Sequence, residues 1–215
     1  MLRVEHITTG YGKKQVLTDV SFEVKQSEIV LLTGGNGSGK TTVLKTIFGL
    51  LKPWNKDGKV IFDGNDITGL RPSEMIRRGI VYMPQKKNVF EDFTVEENLL
   101  TSAGIYSKKE VTSRIERVFK AIPQLADLKN RTPFYMSGGE KQLLAFGNVL
   151  IHSPQLIMLD EPFAGIDSTN FNILVNNIMD LINNEICVLI VNHEELLLNY
   201  LNPKVISFEL GEIKL

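Results

Sequence analysis

The chain has 215 residues, a formal net charge of −1, and a composition that is 43% hydrophobic and 23% charged. This length fits one large domain or a domain with a sub-lobe, and the near-neutral charge argues against a nucleic-acid binder that neutralises phosphates. The single cysteine, Cys187, excludes a disulfide framework and fits a reducing compartment. No apolar run approaches the roughly 18 residues of a membrane span, so we expect neither a span nor a signal peptide.

The first part of the chain predicts strands around a glycine-rich loop. Residues 2–8 and 16–24 have the alternation of strands, and we expect them to form an antiparallel piece beside the main sheet. The apolar run 28–33 predicts a buried parallel strand, and residues 42–50 predict a helix closed by glycine.

The remainder predicts an α/β domain with a helical insertion. Strands are expected at 60–64, 80–83, 155–160, 185–192 and 205–208, and helices at 72–78, 94–101, 108–121, 171–182 and 193–200. Because strands alternate with helices, we expect a mostly parallel sheet with helices on both faces. The prediction is a single domain over 1–215, with a core from 1–85 and 153–215 and a helical sub-lobe at about 86–152.

The stretch Gly34–Thr41 lies between the predicted strand and helix, as a phosphate-binding loop must. Its glycines let backbone N–H groups face an anion, and the following helix directs its positive end at the same place. Lys40 would reach the outer phosphates, and the Thr41 hydroxyl would bind Mg²⁺. A plain glycine-rich turn is the alternative, which the complete motif disfavours. The residues predicted to bind nucleotide here are Gly34, Gly35, Asn36, Gly37, Ser38, Gly39, Lys40, Thr41 and Thr42.

Two carboxylates follow the apolar run 156–159, at the strand end where open α/β sheets bind ligands. Asp160 would hold Mg²⁺ opposite Thr41, and Glu161 would orient and deprotonate an attacking water. The alternative is a strand that runs into an acidic turn, and the phosphate loop upstream disfavours it.

A second anion site is predicted at Ser137–Glu140. Ser137 is a natural N-cap, and Gly138 and Gly139 open a helix with an apolar face. An ordinary capped helix is the alternative, which Ser-Gly-Gly alone does not exclude.

The order of these elements resembles the nucleotide-binding subunits of ABC transporters over nearly the whole chain. It runs from the phosphate loop through Gln85, the Ser137–Glu140 signature and the acidic pair to Asp167 and His193. The resemblance implies an ABC-type P-loop fold and Mg²⁺-dependent ATP hydrolysis. It also implies a head-to-tail dimer, of identical chains or paralogues, with two ATP molecules between the phosphate loop of one subunit and the signature of the other. The near-neutral charge leads us to expect no nucleic-acid partner.

Roles carried over by the resemblance extend to four more residues. Tyr11 resembles the aromatic that stacks on adenine, although a plain turn tyrosine stays open. Gln85 resembles the glutamine that contacts Mg²⁺ and the attacking water, Asp167 lies in the loop that crosses between subunits, and His193 resembles the switch histidine at the γ-phosphate.

The resemblance also implies permease partners and a cytoplasmic location on the inner face of the membrane. Residues 89–99 and 136–147 are most similar to branched-chain amino acid importers, and 161–167 also resembles lipopolysaccharide-export ATPases. A soluble ABC ATPase without a transporter is the further alternative. Phe90 and Phe93 are either part of a groove for a permease helix or buried core, and Asn148 replaces the family's usual arginine.

Overall fold

The computed structural model describes residues 1–86, 88–192 and 196–214 of the chain. Its strands are β1 (Leu2–Tyr11), β2 (Lys14–Val24), β3 (Ile29–Gly34), β4 (Lys59–Phe62), β5 (Asn65–Asp66), β6 (Ile80–Met83), β7 (Leu156–Asp160), β8 (Cys187–Val191), β9 (Lys204–Glu209) and β10 (Glu212–Lys214). Its α-helices are α1 (Lys40–Ile47), α2 (Pro72–Arg77), α3 (Val95–Ser102), α4 (Lys108–Ala121), α5 (Pro123–Asp127), α6 (Gly138–Leu150), α7 (Ser168–Asn183) and α8 (Leu196–Leu201).

The first sheet is antiparallel and has the order β2-β1-β4-β5. Strand β1 pairs with β2 on one side and with β4 on the other, so that Leu2 lies between Val24 and Phe62. All three side chains are buried, which explains why these strands hold this register. The predicted antiparallel piece is therefore confirmed, and it also takes in β4 and β5.

The second sheet has the order β10-β9-β3-β8-β7-β6. Its strands are parallel except for β10, which returns antiparallel along β9. Strands β3, β7 and β8 are buried along their apolar runs, as strands covered on both faces must be. The carboxyl ends of β3, β6 and β7 share one edge, which is where the functional residues gather.

The six-stranded sheet separates two hydrophobic cores, because successive side chains of a strand point to opposite faces. Ile157 and Leu159 of β7 face a core that also contains residues of α3, α4, α6 and α7. Leu156 and Met158 face the other core, shared with α1 and the antiparallel sheet. Cys187 lies in this second core, as predicted for a buried strand residue.

Among the described residues between β6 and β7, all regular structure is helical. This stretch contains α3 to α6 and two short 3-10 turns, at Ala103–Ile105 and Pro133–Tyr135. The observed bounds of α4 coincide with the predicted helix 108–121. In the part of the chain described here, no helix has the length and apolar character needed to cross a membrane.

Candidate functional site

The loop between β3 and α1 has a backbone that only glycine adopts without strain. Gly34, Gly37 and Gly39 all have positive φ angles, of 132°, 78° and 108°. A Cβ atom on Gly34 would lie 2.1 Å from the carbonyl oxygen of Phe208 in β9. The loop is therefore held against the neighbouring strand at a distance that excludes any side chain.

Lys40 opens α1 and folds back over this loop. Its side-chain amine donates hydrogen bonds to the carbonyl oxygens of Gly34 and Gly35, at 2.8 and 2.9 Å, and lies 3.4 Å from the Ser38 hydroxyl. Lys40 is only 5% exposed, and this burial lowers the pKa of its amine, while the carboxylates of Glu161 and Asp160 act in the opposite direction. The ammonium group is thus placed at the mouth of the loop, in reach of an anion bound there.

Asp160 ends β7 as a buried carboxylate with two hydroxyl donors. Thr41 donates to one carboxylate oxygen and Tyr82 to the other, both at 3.0 Å. Burial raises the pKa of Asp160, and the two hydrogen bonds lower it. Burial also raises the pKa of Tyr82, so its phenol stays a donor at neutral pH. The two predicted metal ligands, Thr41 and Asp160, are therefore adjacent.

Glu161 leaves the strand in a different direction from Asp160. Its φ of 52° is left-handed, and its N–H donates to the carbonyl of Val191 in β8 at 2.8 Å. A non-glycine residue in this conformation stores strain that is typical of functional sites. The turn brings the carboxylate to the side-chain amide of Gln85, which donates a hydrogen bond to it. The predicted catalytic pair therefore meets beyond the carboxyl ends of β6 and β7.

Lys40, Thr41, Gln85 and Glu161 line one cleft of about 670 Å³, whereas Asp160 is not part of its wall. Its walls are Tyr11, Lys14, Gln15, Val16, Asn36, Gly37, Ser38, Gly39, Lys40, Thr41, Thr42, Gln85, Glu161 and Leu210. Tyr11 is 45% exposed at the end of β1, and the Lys45 ammonium lies 5.7 Å from its ring centre. An exposed ring on the wall of the cleft supports the predicted stacking role over a plain turn tyrosine.

Sequence reasoning missed Tyr82 and the wall formed by residues 14–16 and Leu210. One signal could have predicted the contact of Tyr82 with Asp160, because the strands that contain them end at the same edge of the sheet. Leu210 is 89% exposed in the turn between β9 and β10, with a left-handed φ of 49° that leucine rarely adopts. Nothing in the sequence near Leu210 links it to the phosphate loop, since that link depends on β9 pairing with β3.

The second predicted anion site is a capped helix with free donors. The Ser137 hydroxyl accepts from the Glu140 N–H at 3.2 Å, and the Glu140 carboxylate accepts from the Ser137 N–H at 2.7 Å. The N–H groups of Gly138 and Gly139 lie in the first turn of α6, where no intrahelical acceptor exists. The start of this helix therefore offers two backbone donors and a hydroxyl to an anion.

Asp167 lies directly beside that helix start in the same chain. Its carboxylate caps α7 by accepting from the N–H groups of Thr169 and Asn170, both at 3.0 Å, and hydrogen bonds from Asn170 lower its pKa. A Cβ atom on Gly139 would lie 2.7 Å from the Asp167 carboxylate. The glycine thus permits the signature helix and the loop before α7 to meet.

The structure does not bring all predicted site residues together within one chain. Residues 137–140 and Asp167 form one group, and none of them lines the cleft at the phosphate loop. His193 lies outside the described residues. Each chain therefore presents two separate anion-binding elements.

Phe90 and Phe93 are exposed, by 53% and 42%, so the alternative that they are buried core is wrong. Their rings are 5.4 Å apart, and Phe90 lies on the rim of a groove of about 240 Å³ that Asn88 and Asn148 also line. The Asn148 amide donates to the Asn88 carbonyl at 3.3 Å. Asn148 therefore occupies the family's usual arginine position as a neutral, mostly buried group.

The chain matches the ABC transporter family model over residues 17–164. It is 39% identical to a probable branched-chain amino acid transport ATP-binding protein, LivF, of Archaeoglobus fulgidus, over 84% of this chain and 76% of the relative. It is 34% identical to the lipopolysaccharide export ATP-binding protein LptB of Haemophilus influenzae, over 90% of this chain and 80% of that one.

Among solved structures, it resembles a dimeric ATP-binding cassette in a post-hydrolysis state with bound ADP and phosphate. The TM-score is 0.85 at 27% identity, over 100% of this chain and 97% of the other. The predicted ABC-type fold is thus confirmed. With its phosphate loop and Glu161 on the wall of one cleft, the chain belongs to the ABC transporter family and is an ATPase of that family.

Proposed function

We propose that this chain powers solute transport across a membrane by hydrolysing ATP at sites shared between two nucleotide-binding subunits. The observation that carries the proposal is that one chain supplies two anion-binding elements, the Lys40 loop and the Ser137 helix, of which only the first lines the cleft. A second subunit placed head to tail would bring its Ser137 helix to the Lys40 loop. Each ATP would then be enclosed by residues of both chains.

At the phosphate end, the loop amides and Lys40 would hold the β- and γ-phosphates. Lys40 now donates to two loop carbonyls, and phosphate oxygens would compete for those donors on binding. Because the amine is already buried and in place, little side-chain ordering remains to be done when ATP arrives. The same groups would stabilise charge that develops on the transferred γ-phosphoryl group.

The oxygen atoms gathered near the end of β7 are of the kind that binds Mg²⁺. Thr41 and Asp160 place a hydroxyl and a carboxylate oxygen together, and the Gln85 carbonyl oxygen would be a third hard ligand nearby. No cluster of three or more His, Cys, Asp or Glu side chains suited to a metal occurs among the described residues. Bound there, Mg²⁺ would neutralise phosphate charge.

We propose that Glu161 orients and deprotonates the attacking water. Glu161 lies on the cleft wall beside Gln85, whose side-chain amide donates a hydrogen bond to its carboxylate and would orient it. A carboxylate so placed can accept a proton from water as the bond to phosphorus forms. His193 is proposed as the γ-phosphate contact from its position in the sequence alone.

A permease would dock on the exposed aromatic pair Phe90 and Phe93 and the adjoining groove. Exposed aromatic side chains beside a small groove of mixed polarity fit an amphipathic helix, whose apolar face would cover the rings. Such docking would place the subunit at the inner face of the membrane. Import of branched-chain amino acids is the favoured transport reaction, because that is what LivF is named for, and lipopolysaccharide-type export is the second candidate, supported by LptB.

The Glu161→Gln variant tests the catalytic assignment. We expect phosphate release to fall by roughly 10²–10⁴-fold, because the base is lost while the shape of the side chain is kept. Equilibrium binding of ATP should stay within about threefold of wild type, since the loop and Lys40 are intact. The matched control is Glu116→Gln on the exposed face of α4, which removes the same charge away from the cleft. Hydrolysis by Glu161→Gln at the control rate would refute the assignment.

The Phe90→Ser/Phe93→Ser double variant tests the docking surface. Reconstituted with a permease that stimulates the wild-type subunit, it should lose this stimulated hydrolysis, because the apolar contact with the docking helix is gone. Basal hydrolysis should be unchanged, since neither ring lines the nucleotide cleft. Trp54→Ser, at a residue 47% exposed elsewhere, is the control. Full stimulation of the double variant would exclude this surface.

A further inference from the structure

A second polar cleft, of about 480 Å³, lies between α2, the turn Ala103–Ile105, α4 and the segment after α6. It shares no residue with the nucleotide cleft. Its walls are Ile76, Arg77, Arg78, Gly79, Ile105, Tyr106, Arg114, His152, Ser153 and Gln155. Its size is in the range of small-molecule sites, and its residues come from segments far apart in the sequence.

The charge on this cleft is entirely positive. Arg77, Arg78 and Arg114 line it, and no acidic side chain does. In the part of the chain that the structure describes, none of the three arginines forms an ion pair. Two acids near the cleft have hydrogen-bond partners elsewhere: Glu74 pairs with Arg71, and Glu110 accepts from the backbone and hydroxyl of Ser107. They act on Arg78 and Arg114 only through space, and neither lines the cleft.

Arg114 is held in a fixed position on the cleft wall. Its guanidinium stacks 3.5 Å from the ring centre of Tyr106, and it donates to the Ile151 carbonyl at 2.8 Å. Tyr106 is fixed in turn by its hydroxyl, 3.2 Å from His152 Nδ1. Burial and the Arg114 charge lower the pKa of His152 to about 4, so this ring is neutral at pH 7 and the arginines alone set the charge. A guanidinium positioned in advance loses little entropy on binding a ligand.

Helix stability explains only part of this arrangement. A basic residue in the last turn of α2 complements the helix dipole, which accounts for Arg77, and Arg114 donates to the carbonyl of Ile151 at the C-terminal cap of α6. Neither role requires these side chains, from helices more than thirty residues apart, to line the same cleft. Three like charges that line one cleft repel each other unless an anion balances them.

We propose that the cleft lined by Arg77, Arg78 and Arg114 binds a phosphate-class oxyanion. Planar guanidinium groups match the oxygens of phosphate in paired hydrogen bonds, which makes arginine the preferred residue for such ligands. Because α2 follows the antiparallel sheet while Arg114 belongs to the helical segment between β6 and β7, one bound anion would bridge these two parts. The ligand would thereby restrain the helical segment that carries Ser137.

The test is equilibrium dialysis of radiolabelled inorganic phosphate against the full chain. The chain is first saturated with Mg²⁺ and adenylyl imidodiphosphate, an ATP analogue whose phosphates occupy the nucleotide cleft, so that free phosphate cannot bind there. Ionic strength is held constant with chloride. We expect one saturable phosphate per chain. Arg77→Gln/Arg78→Gln and Arg114→Gln should each weaken it roughly tenfold or more, the loss expected for charge-assisted hydrogen bonds.

The control is Lys108→Gln/Lys109→Gln, which removes two positive charges at the exposed start of α4 outside the cleft wall. This variant should bind phosphate within about twofold of wild type, because screening makes remote charges weak. Equal loss in the lysine variant, or no saturable phosphate in the wild type, would overturn the proposal. The proposal would also be overturned if a tetraglutamate peptide bound at these arginines while phosphate did not. That result would indicate an acidic protein partner instead.

Discussion

Asp160 is only 1% exposed, yet its two carboxylate oxygens meet hydroxyl groups instead of a cationic side chain. Burial without a salt bridge favours the protonated acid, whereas hydrogen bonds from Thr41 and Tyr82 favour the carboxylate. The balance between these effects decides the pH at which the group can bind a cation. Tyr82 therefore acts on the proposed metal site without lining the nucleotide cleft.

Tyr82→Phe is expected to make hydrolysis more sensitive to acid. Loss of the phenol hydroxyl removes a hydrogen bond that lowers the pKa of Asp160, so the pKa rises and the carboxylate is lost at a higher pH. The acid limb of the kcat/KM profile should move toward neutral pH and the Mg²⁺ requirement should increase severalfold. Tyr106→Phe, which removes a hydroxyl outside this cleft, should leave the profile unchanged. An unshifted acid limb in Tyr82→Phe would contradict this role.

Residues of the site differ in how far the sequence could predict them. The sequence predicts four of them, because each lies at the end of a buried strand or soon after it, in a local pattern with a known chemical purpose: Lys40, Thr41, Asp160 and Glu161. It does not predict Leu210, because the place of Leu210 on the cleft wall depends on pairing between strands that are remote in the sequence.

Three helices in the helical region begin with the same reciprocal cap. Thr94 with Glu97, Ser107 with Glu110 and Ser137 with Glu140 each exchange side chain and backbone hydrogen bonds. Only the third is followed by two glycines, and only there does the loop that contains Asp167 pack against the first turn. The cap of α6 thus combines a structural role with an exposed set of donors.

Ser137→Ala and Thr94→Ala separate these two roles. Each change should cost about 1 kcal/mol in the free energy of unfolding, because each removes one N-cap acceptor. Only Ser137→Ala should also lower hydrolysis, roughly tenfold, through the hydroxyl that we expect to contact the γ-phosphate of the ATP on the other subunit. Urea unfolding and phosphate release measure the two effects. Equal losses of hydrolysis in both variants would show that α6 has a structural role only.

The sequence predicts a strand or a helix best where one face of it is buried along its whole length. The apolar run before Asp160 predicts β7, which is buried on both faces, and the periodic apolar residues of α4 predict a helix buried on one face. The sequence pattern predicts residues 205–208 as the last strand and does not predict β10. The three residues of β10 are mostly exposed, so no apolar pattern marks this strand, although it pairs with β9 and Gly211 beside it exchanges hydrogen bonds with Thr18 and Ser38.

At the scale of the whole molecule, the separation of the Lys40 loop from the Ser137 helix underlies our proposal of an active unit larger than one chain. The cleft of one chain is lined by residues of the phosphate loop, Gln85 and Glu161, so we expect a single chain to bind nucleotide. In the proposed dimer, the Ser137 helix would come from the neighbouring subunit. Binding and hydrolysis should therefore respond differently to protein concentration.

Specific ATPase activity is expected to rise with protein concentration and then to level off as the dimer fills, because assembly is bimolecular. Binding of ATP per chain, measured by equilibrium dialysis over the same range, should change far less. Glu161→Gln should form the most persistent ATP-bound dimer on gel filtration. Specific activity that is constant to well below the dimerisation constant would indicate that one chain completes the site.

The contact between the phosphate loop and β9 also bears on how the protein is made. The hydroxyl groups of Thr33 and Ser207 are 3.1 Å apart although 174 residues separate them, and the Gly211 N–H donates to the Ser38 carbonyl at 3.0 Å. Chains emerge from the ribosome amino end first. The loop is thus synthesised early but lacks its packing partner until the β9–β10 hairpin follows. A nascent chain would gain affinity for ATP only late in translation, which would protect it from premature pairing with other subunits.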